Sequence, residues 1–277
     1  MTWIARPVSF KALLLVKAGC HPACPLNRAG GSEIALVPTP LDAAETTQGV
    51  TIYYEENAQV ELINTAGTRI LIDVYRPSAL SNPATDKDVL LTTHSHPDHV
   101  DTRFFNAFAG KQLKHEVGEI KLPDITIQGI AAAHSTTDKI LSVGSTNYIY
   151  IVDMGELRIA HFGDTGQEAL TPEQLAALGK VDIAIAPFNM PPVGMTAENK
   201  RGFNLMDQVK PRLLIPTHID VNTAKIAAEK WPGVYADQKS VTITPADLSD
   251  QTRILFMGML APSYQKLFNL LAWGAVK

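Results

Sequence analysis

The sequence predicts an α/β fold, β-rich in its first half and alternating between strand and helix in its second. Three observations carry this. From Gly49 onward, three short β-patterned stretches follow one another, separated by turn residues. From about residue 171 to Trp231, helix-start signals and apolar strand runs take turns, as packed strand–helix units do. Two apolar strands also end directly in histidine, at His94 and at His218, and strand ends are where open sheets gather their sites.

The chain has 277 residues, enough for a sizeable core, and its 45% hydrophobic and 19% charged content describes an ordinary globular protein. A net charge of −4, with Lys200-Arg201 as the densest basic stretch, argues against nucleic acid as a partner. No apolar run reaches the length needed to span a membrane, so no membrane span is expected. There is no internal repeat, and oligomeric state is left open.

Residues 1–47 read as an N-terminal extension and residues 48–277 as the functional domain. In the extension, Arg6 and Lys11 precede the apolar run Ala12-Leu13-Leu14-Leu15-Val16. That run resembles a short secretory leader, although Lys17 interrupts it and no small-x-small cleavage site follows closely. The protein is therefore exported if this stretch acts as a leader and cytoplasmic otherwise. Pro22, Pro25, Gly30, Gly31, Pro38 and Pro40 discourage regular structure. Cys20 and Cys24, the two cysteines of the chain, form a disulfide or remain free thiols; nothing nearby completes a metal site around them.

Strands are expected over residues 50–54, 59–63 and 69–73, with Thr65-Ala66-Gly67 as a turn, making a meander. Asp73 ends the third strand, either as a loop carboxylate or as a group orienting a metal-binding loop. The apolar run 88–93 is a buried strand and leads into His94-Ser95-His96-Pro97-Asp98-His99. Alternation along an extended chain points His94 and His96 the same way. Pro97 then ends the strand, so that Asp98 and His99 can face a second point in space. Imidazole and carboxylate in this pattern are ligands for zinc and its first-row neighbours.

Residues 102–109 read as a short helix burying Phe104, Phe105 and Phe108. Residues 111–121 are charged and read as exposed, with His115 a surface histidine. A strand over 125–130 runs into His134, which is expected to be a ligand because a catalytic zinc site takes three protein ligands. Residues 147–152 and 156–161 form a hairpin around Met154-Gly155 and lead to His161-Phe162-Gly163-Asp164. Asp164 is a turn former or a carboxylate bridging two cations, and His161 a ligand or a group next to one.

Thr171-Pro172-Glu173-Gln174 is a helix start with cap, N1 proline and capping-box glutamine. Residues 181–186 are a buried strand, followed by the loop 189–194. Thr196 caps a helix reaching Val209, and residues 213–217 form the strand that ends in His218. Strands are expected over 241–244 and 253–256, and a packed apolar helix over 262–273.

The ordered set His94, His96, Asp98, His99, His134, Asp164 and His218 resembles the metallo-β-lactamase superfamily over roughly residues 48 to 245. Gly163-Asp164-Thr165 and Ile215-Pro216-Thr217-His218 are similar to the ascorbate-6-phosphate-lactonase-like branch of small metal-dependent hydrolases. The resemblance implies a four-layer αββα sandwich with the site at one edge. It implies one metal on His94, His96 and His134, a second on Asp98, His99 and His218, and Asp164 bridging them. The second site has no cysteine, which separates the chain from class B1 β-lactamases. His96 stands where flavodiiron proteins have glutamate, Ala133-His134-Ser135 replaces the Gly-His-Thr of glyoxalase II, and the inserted domain of the nucleases has no room between Asp164 and His218.

The ligand set implies hydrolysis by a hydroxide bridging two divalent ions, since bound water falls from a pKa of ~15.7 to about 7. Histidine dominance favours Zn2+, with Mn2+ and Fe2+ as compatible alternatives. Asp98 or Asp164 would also move a proton to the leaving group. His161, sharing a short strand end with Asp164, is expected to donate to a carboxylate or a developing oxyanion rather than bind metal. The expected activity is hydrolysis of a small ester or lactone. A phosphodiesterase is the enzymatic alternative, and a non-catalytic metal-binding protein the alternative of another class, disfavoured by the intact ligand set.

Overall fold

A computed structural model describes residues 48–258, apart from residue 237. The expectations for Cys20, Cys24, the leader-like run and the helix over 262–273 lie outside the described residues.

Taken along the chain, the strands are β1 (Val50–Glu56), β2 (Gln59–Asn64), β3 (Arg69–Ile72), β4 (Val89–Thr92), β5 (Lys111–Lys114), β6 (Gly118–Leu122) and β7 (Ile125–Ala132). They continue as β8 (Asn147–Met154), β9 (Leu157–His161), β10 (Ile183–Pro187), β11 (Leu213–Thr217), β12 (Gly233–Ala236), β13 (Ser240–Ile243) and β14 (Arg253–Met257). The helices are α1 (Thr102–Ala107), α2 (Pro172–Leu178), α3 (Arg201–Val209) and α4 (Val221–Lys230). Among the described residues the strands form two sheets. One has the order β13-β1-β2-β3-β4-β5, the other β12-β14-β11-β10-β9-β8-β7-β6.

Side-chain alternation explains how the sheets stack. On β8, Tyr148, Tyr150 and Val152 point into one core while Ile149 and Ile151 point into another. On β10, Ile183 and Ile185 take the first side and Ala184 and Ala186 the second. The first core also holds Val50, Ile52, Ile70, Ile72, Val89 and Leu91 from the other sheet, so it lies between the sheets. The second lies under the later helices, with Leu178, Phe203, Met206 and Ala224. A third, smaller core packs Leu71 and Leu90 against Phe104, Phe105 and Phe108. The layers are therefore α1, sheet, sheet, and α2 to α4. This is the αββα sandwich expected from the sequence, and period-2 alternation with both faces apolar is its cause.

Several local expectations are corrected. Residues 111–121 are largely exposed, as expected, but they form strands: β5 pairs with β4 and β6 with β7, and Leu113 and Ile120 are buried. Charged residues alternate with buried ones there, as edge strands commonly do. His115 is partly covered, its ring stacked on Phe105 at 5.4 Å. Phe104, Phe105 and Phe108 are half-buried, and α1 ends at Ala107. The later helix begins at Arg201, not at Thr196. Lys200 has φ 56°, a left-handed conformation that no helix can run through. Residues 196–199 instead form a turn in which Asn199 Oδ1 accepts from the Thr196 and Arg201 N–H groups. Strand β12 has no counterpart among the expectations. The capping box of α2 is present, with Thr171 and Gln174 bonding reciprocally.

A buried ion network fixes where β4 starts. Arg69, on β3, donates all five of its N–H bonds: two to Asp88, one to Glu61, and one each to the carbonyls of Asn82 and Pro83. Glu61 also accepts from Ser81 N and Oγ at 2.6 and 2.7 Å. The long connection from β3 to β4 is thereby tied down, and β4 leads straight to His94. Among the described residues no helix is long and apolar enough to cross a membrane.

Candidate metal centre

Seven side chains converge at one end of the two sheets. His94, His96, Asp98 and His99 follow β4 in the first sheet. His134, Asp164 and His218 follow β7, β9 and β11 in the second. The donor atoms form two groups: His94, His96, His134 and Asp164 in one, Asp98, His99 and His218 in the other, with all atoms of a group within 4.8 Å of one another. All seven residues expected to bind metal from the sequence are thus brought together.

Asp164 lies between the groups. Its Oδ2 faces His134 Nε2 at 3.4 Å and His94 Nε2 at 3.6 Å. Its Oδ1 faces His218 Nε2 at 3.1 Å and His99 Nε2 at 3.2 Å. His94 Nε2 is 3.1 Å from His96 Nδ1, and His218 Nε2 is 3.2 Å from His99 Nε2. Donor atoms around a tetrahedral zinc stand about 3.3 Å apart when bonded at 2.0–2.1 Å, which is the spacing seen. His134 Nε2 and Asp164 Oδ1 are buried and face only other donor atoms of the two groups. The residues present fit a pair of divalent cations.

The ring orientations are set by neighbours. Asp73, fully buried and with φ 51°, accepts from Thr93 N and Thr93 Oγ1, both at 2.7 Å, and from His99 Nδ1 at 2.8 Å. His99 must therefore carry its proton on Nδ1 and turn Nε2 to Asp164. Because the Thr93 hydroxyl gives its hydrogen to Asp73, its oxygen accepts from His94 Nδ1 at 3.0 Å, again leaving Nε2 for the site. Of the two readings of Asp73, the geometry selects the orienting one.

Charge is strongly coupled here. Burial, together with the neighbouring His99, pushes His94 down to about 3. Burial also opposes charge on His99, but Asp73 and Asp164 outweigh it and raise His99 to about 10. Burial likewise works against the Asp164 carboxylate, yet the hydrogen-bonding imidazoles of His134, His218 and His99 hold its pKa well below the usual range. The pocket is built to keep the Asp164 carboxylate ionised.

Asp164 is aimed by a turn. Gly163 has φ 51°, and a Cβ there would meet Asn147 Oδ1 at 2.5 Å and Thr93 Cβ at 2.6 Å, so only glycine fits. Asn147 Oδ1 accepts from Asp164 N at 3.1 Å, while its Nδ2 donates to Phe162 O and Thr165 Oγ1, each at 2.9 Å. Asn147 and Thr93 were not among the expected site residues. Gly166 passes so close to the His134 carbonyl that a Cβ would lie 2.1 Å from it.

The expectation for His161 is corrected. Its side chain is fully buried, its Nε2 donates to Ala58 O at 3.0 Å, and its Nδ1 accepts from Gly163 N at 3.1 Å. Both ring nitrogens are spent on main chain, so His161 supports the Gly163 turn and does not face substrate.

An open cleft of about 850 Å³ leads to the donors. It is lined by His96, Asp98, His134, Asp164 and His218, by loop 189–194 with Arg201, and by residues 135–138.

A family model described as "Beta-lactamase superfamily domain" matches residues 51–218. A UPF0173 metal-dependent hydrolase of Pyrococcus horikoshii is 26% identical over 196 residues, covering 61% of this chain and 81% of its own. One from Pyrococcus furiosus is 28% identical over 196 residues with the same coverage. Among solved structures, a Thermotoga maritima protein of the metallo-β-lactamase superfamily overlays with a TM-score of 0.55 at 15% identity, covering 75% of this chain and 99% of that one.

Proposed function

The chain belongs to the metallo-β-lactamase superfamily and is a metal-dependent hydrolase, and from that premise we propose that it cleaves a small ester or lactone at a dinuclear zinc centre. One observation carries the reading: the two oxygens of Asp164 face two separate histidine groups at 3.1–3.6 Å. A single-ion site has no use for such a carboxylate.

One ion would be held by His94, His96 and His134, the other by Asp98, His99 and His218, with Asp164 shared. Ions so held supply Lewis acidity and lower the pKa of water toward about 7. The chain's own residues do the rest. Asp73 and Thr93 fix the tautomers of His99 and His94, so that both present a lone pair without rearrangement. Asn147, Gly163 and His161 hold the Asp164 carboxylate in place. Burial of His94, His99 and Asp164 keeps bulk water from screening the Asp164 carboxylate. Asp98 lines the open cleft and would take the proton given up by the attacking water and pass it to the leaving group. The lactone assignment, and likeness to the ascorbate-6-phosphate-lactonase-like branch, rest on the endings Gly163-Asp164-Thr165 and Ile215-Pro216-Thr217-His218.

The test is elemental analysis of the purified protein together with turnover of an aryl ester, a lactone and bis-p-nitrophenyl phosphate. The expected result is close to two zinc ions per chain, with ester or lactone turnover that chelation abolishes and zinc restores. Turnover confined to the phosphate diester would replace the reading with a phosphodiesterase, and a chain that takes up no metal would overturn it.

A further inference from the structure

Resting on the hydrolase reading above, we infer that the cleft contains a subsite for a carboxylate of the substrate, remote from the scissile bond and held by the guanidinium of Arg201. Arg201 opens α3 and lines the cleft beside loop 189–194. Its Nη1 donates to Gly166 O at 3.1 Å and to Val193 O at 3.0 Å. Both N–H groups of Nη1 are used there, clamping the loop to the turn that follows Asp164.

The opposite edge of the guanidinium is unspent. Nη2 has no hydrogen-bond partner among the described residues, and Nε is buried without one. Glu168 Oε2 comes within 3.4 Å of Nε, but the Glu168 side chain is 77% exposed, so water screens that pairing and little holds it in place. Arg201 is itself only 12% exposed. An arginine is always charged and carries five N–H groups, and leaving buried ones unmet is unfavourable. The clamp uses two of the five, and the remaining three call for a ligand.

Arg69 shows what this edge does elsewhere in the protein: its Nε and Nη2 grip the two oxygens of Asp88 at 3.1 and 2.6 Å. The same pair of nitrogens on Arg201 forms a fork that fits a planar carboxylate through two parallel bonds. Gly194 leaves Nη2 uncovered, since a Cβ there would lie 3.9 Å from it. With Nη1 covered by two carbonyls and Nε buried, Nη2 is the nitrogen left to meet a ligand first, and Nε follows when the exposed Glu168 side chain swings aside. Among the described residues lining the cleft, Arg201 is the sole lysine or arginine, which suits one carboxylate better than a doubly charged phosphate. Neutral donors lie in the same cleft: Ser135 Oγ and Thr137 Oγ1 share one hydrogen bond at 3.0 Å, so one of these hydroxyls keeps a hydrogen to give. The nearby acid, Asp138, turns Oδ2 back to Ser135 N and Thr146 Oγ1. The subsite is on the order of 10 Å from the Asp164 carboxylate, because Gly166 follows Asp164 by two residues of ~3.8 Å each.

The test is calorimetric binding to zinc-loaded full-length protein, which needs no turnover. Hexanedioate, octanedioate and decanedioate are compared with hexanoate, octanoate and decanoate, one carboxylate going to the metal centre in each case. At the best length the diacid is expected to bind at least tenfold tighter than its monoacid, beyond the twofold that two equivalent ends supply. Arg201→Met should abolish the preference while leaving monoacid binding unchanged, and Arg201→Lys, which keeps the charge but loses the fork, should retain part of it. Glu168→Gln removes the competing carboxylate and should tighten the diacid several-fold without affecting the monoacid. A preference of twofold or less at every length overturns the inference, as does one that survives Arg201→Met. If Arg201→Met does not fold, a diacid preference unmoved by Glu168→Gln overturns it. In each of these cases ester turnover leaves the hydrolase reading standing. Failure of every ester to turn over, with the Arg201-dependent preference intact, faults the ester assignment and supports the subsite.

Discussion

At the scale of single residues, the carboxylate of Asp164 is the pivot. Asp164→Asn keeps its shape but removes the charge facing both histidine groups. Elemental analysis should show the second metal bound more weakly, and turnover should fall by more than the 10–100-fold typical of losing an outer supporting group. Two metals retained with unchanged kinetics would reduce Asp164 to a turn residue. His134 and His161 should part company. His134→Ala should lower metal content directly. His161→Ala should leave both ions bound and slow the reaction roughly 10–100-fold, because it loosens the Gly163 turn through the lost Gly163 N–H bond. The ligands were legible in the sequence because histidine at the end of an apolar strand has a spacing and a position. The role of His161 was not, since nearness to Asp164 in the chain says nothing about which way a ring points. Asn147 left no signal either: an amide whose three bonds hold a turn 15 to 18 residues away looks like any strand-opening asparagine.

At the scale of elements, turns and strand ends place the donors. Gly163→Ala forces a methyl group onto Asn147 and Thr93 and a side chain into a left-handed backbone. It should cost at least ~1 kcal/mol in the midpoint of denaturant unfolding and reduce metal content as well. The Arg69 network, which fixes the entry to β4, gives a second case. Arg69→Met leaves Glu61 and Asp88 buried without a cation, a change expected to cost about 3–5 kcal/mol by the same measurement. The network also sets an acid limit. Burial raises the pKa of Asp88, but its bonds to Arg69 and Thr85 lower it more, so the folded value lies below the unfolded one. Its contribution is therefore complete above an unfolded pKa of about 3.9 and is lost as pH falls through the folded value. Acid titration of stability should show this drop in the parent and not in Asp88→Asn. Strands with apolar residues on both faces were readable from composition alone. Strands β5 and β6 were not, because an edge strand rich in lysine and glutamate reads only as an exposed charged stretch, and the start of α3 was hidden by the backbone conformation of Lys200.

At the scale of the whole molecule, the seven side chains proposed as ligands come four from one sheet and three from the other. A metal bound there would also fasten the sheets together. Added zinc should raise the melting temperature, by the equivalent of about 2.7 kcal/mol at a hundredfold excess over the dissociation constant, and chelator should reverse it; a melting curve indifferent to zinc would contradict a site spanning both sheets. The α/β class and the order of strands and helices were foreseeable because hydrophobic period follows sheet burial. The pairing of β13 was not, since a short strand carries no mark of its partner. That pairing has a consequence in time. β13 lies between β12 and β14 in sequence, yet it leaves their sheet to close the open edge of β1, with Thr51 and Thr242 bonded at 2.9 Å across 191 positions. At roughly 5–20 residues per second of synthesis, β1 waits on the order of 10–40 s for its partner. Throughout that interval its unpaired edge is open to neighbouring chains, so exposure to aggregation is greatest during synthesis and persists after the last of the seven clustered site residues, His218, has been made.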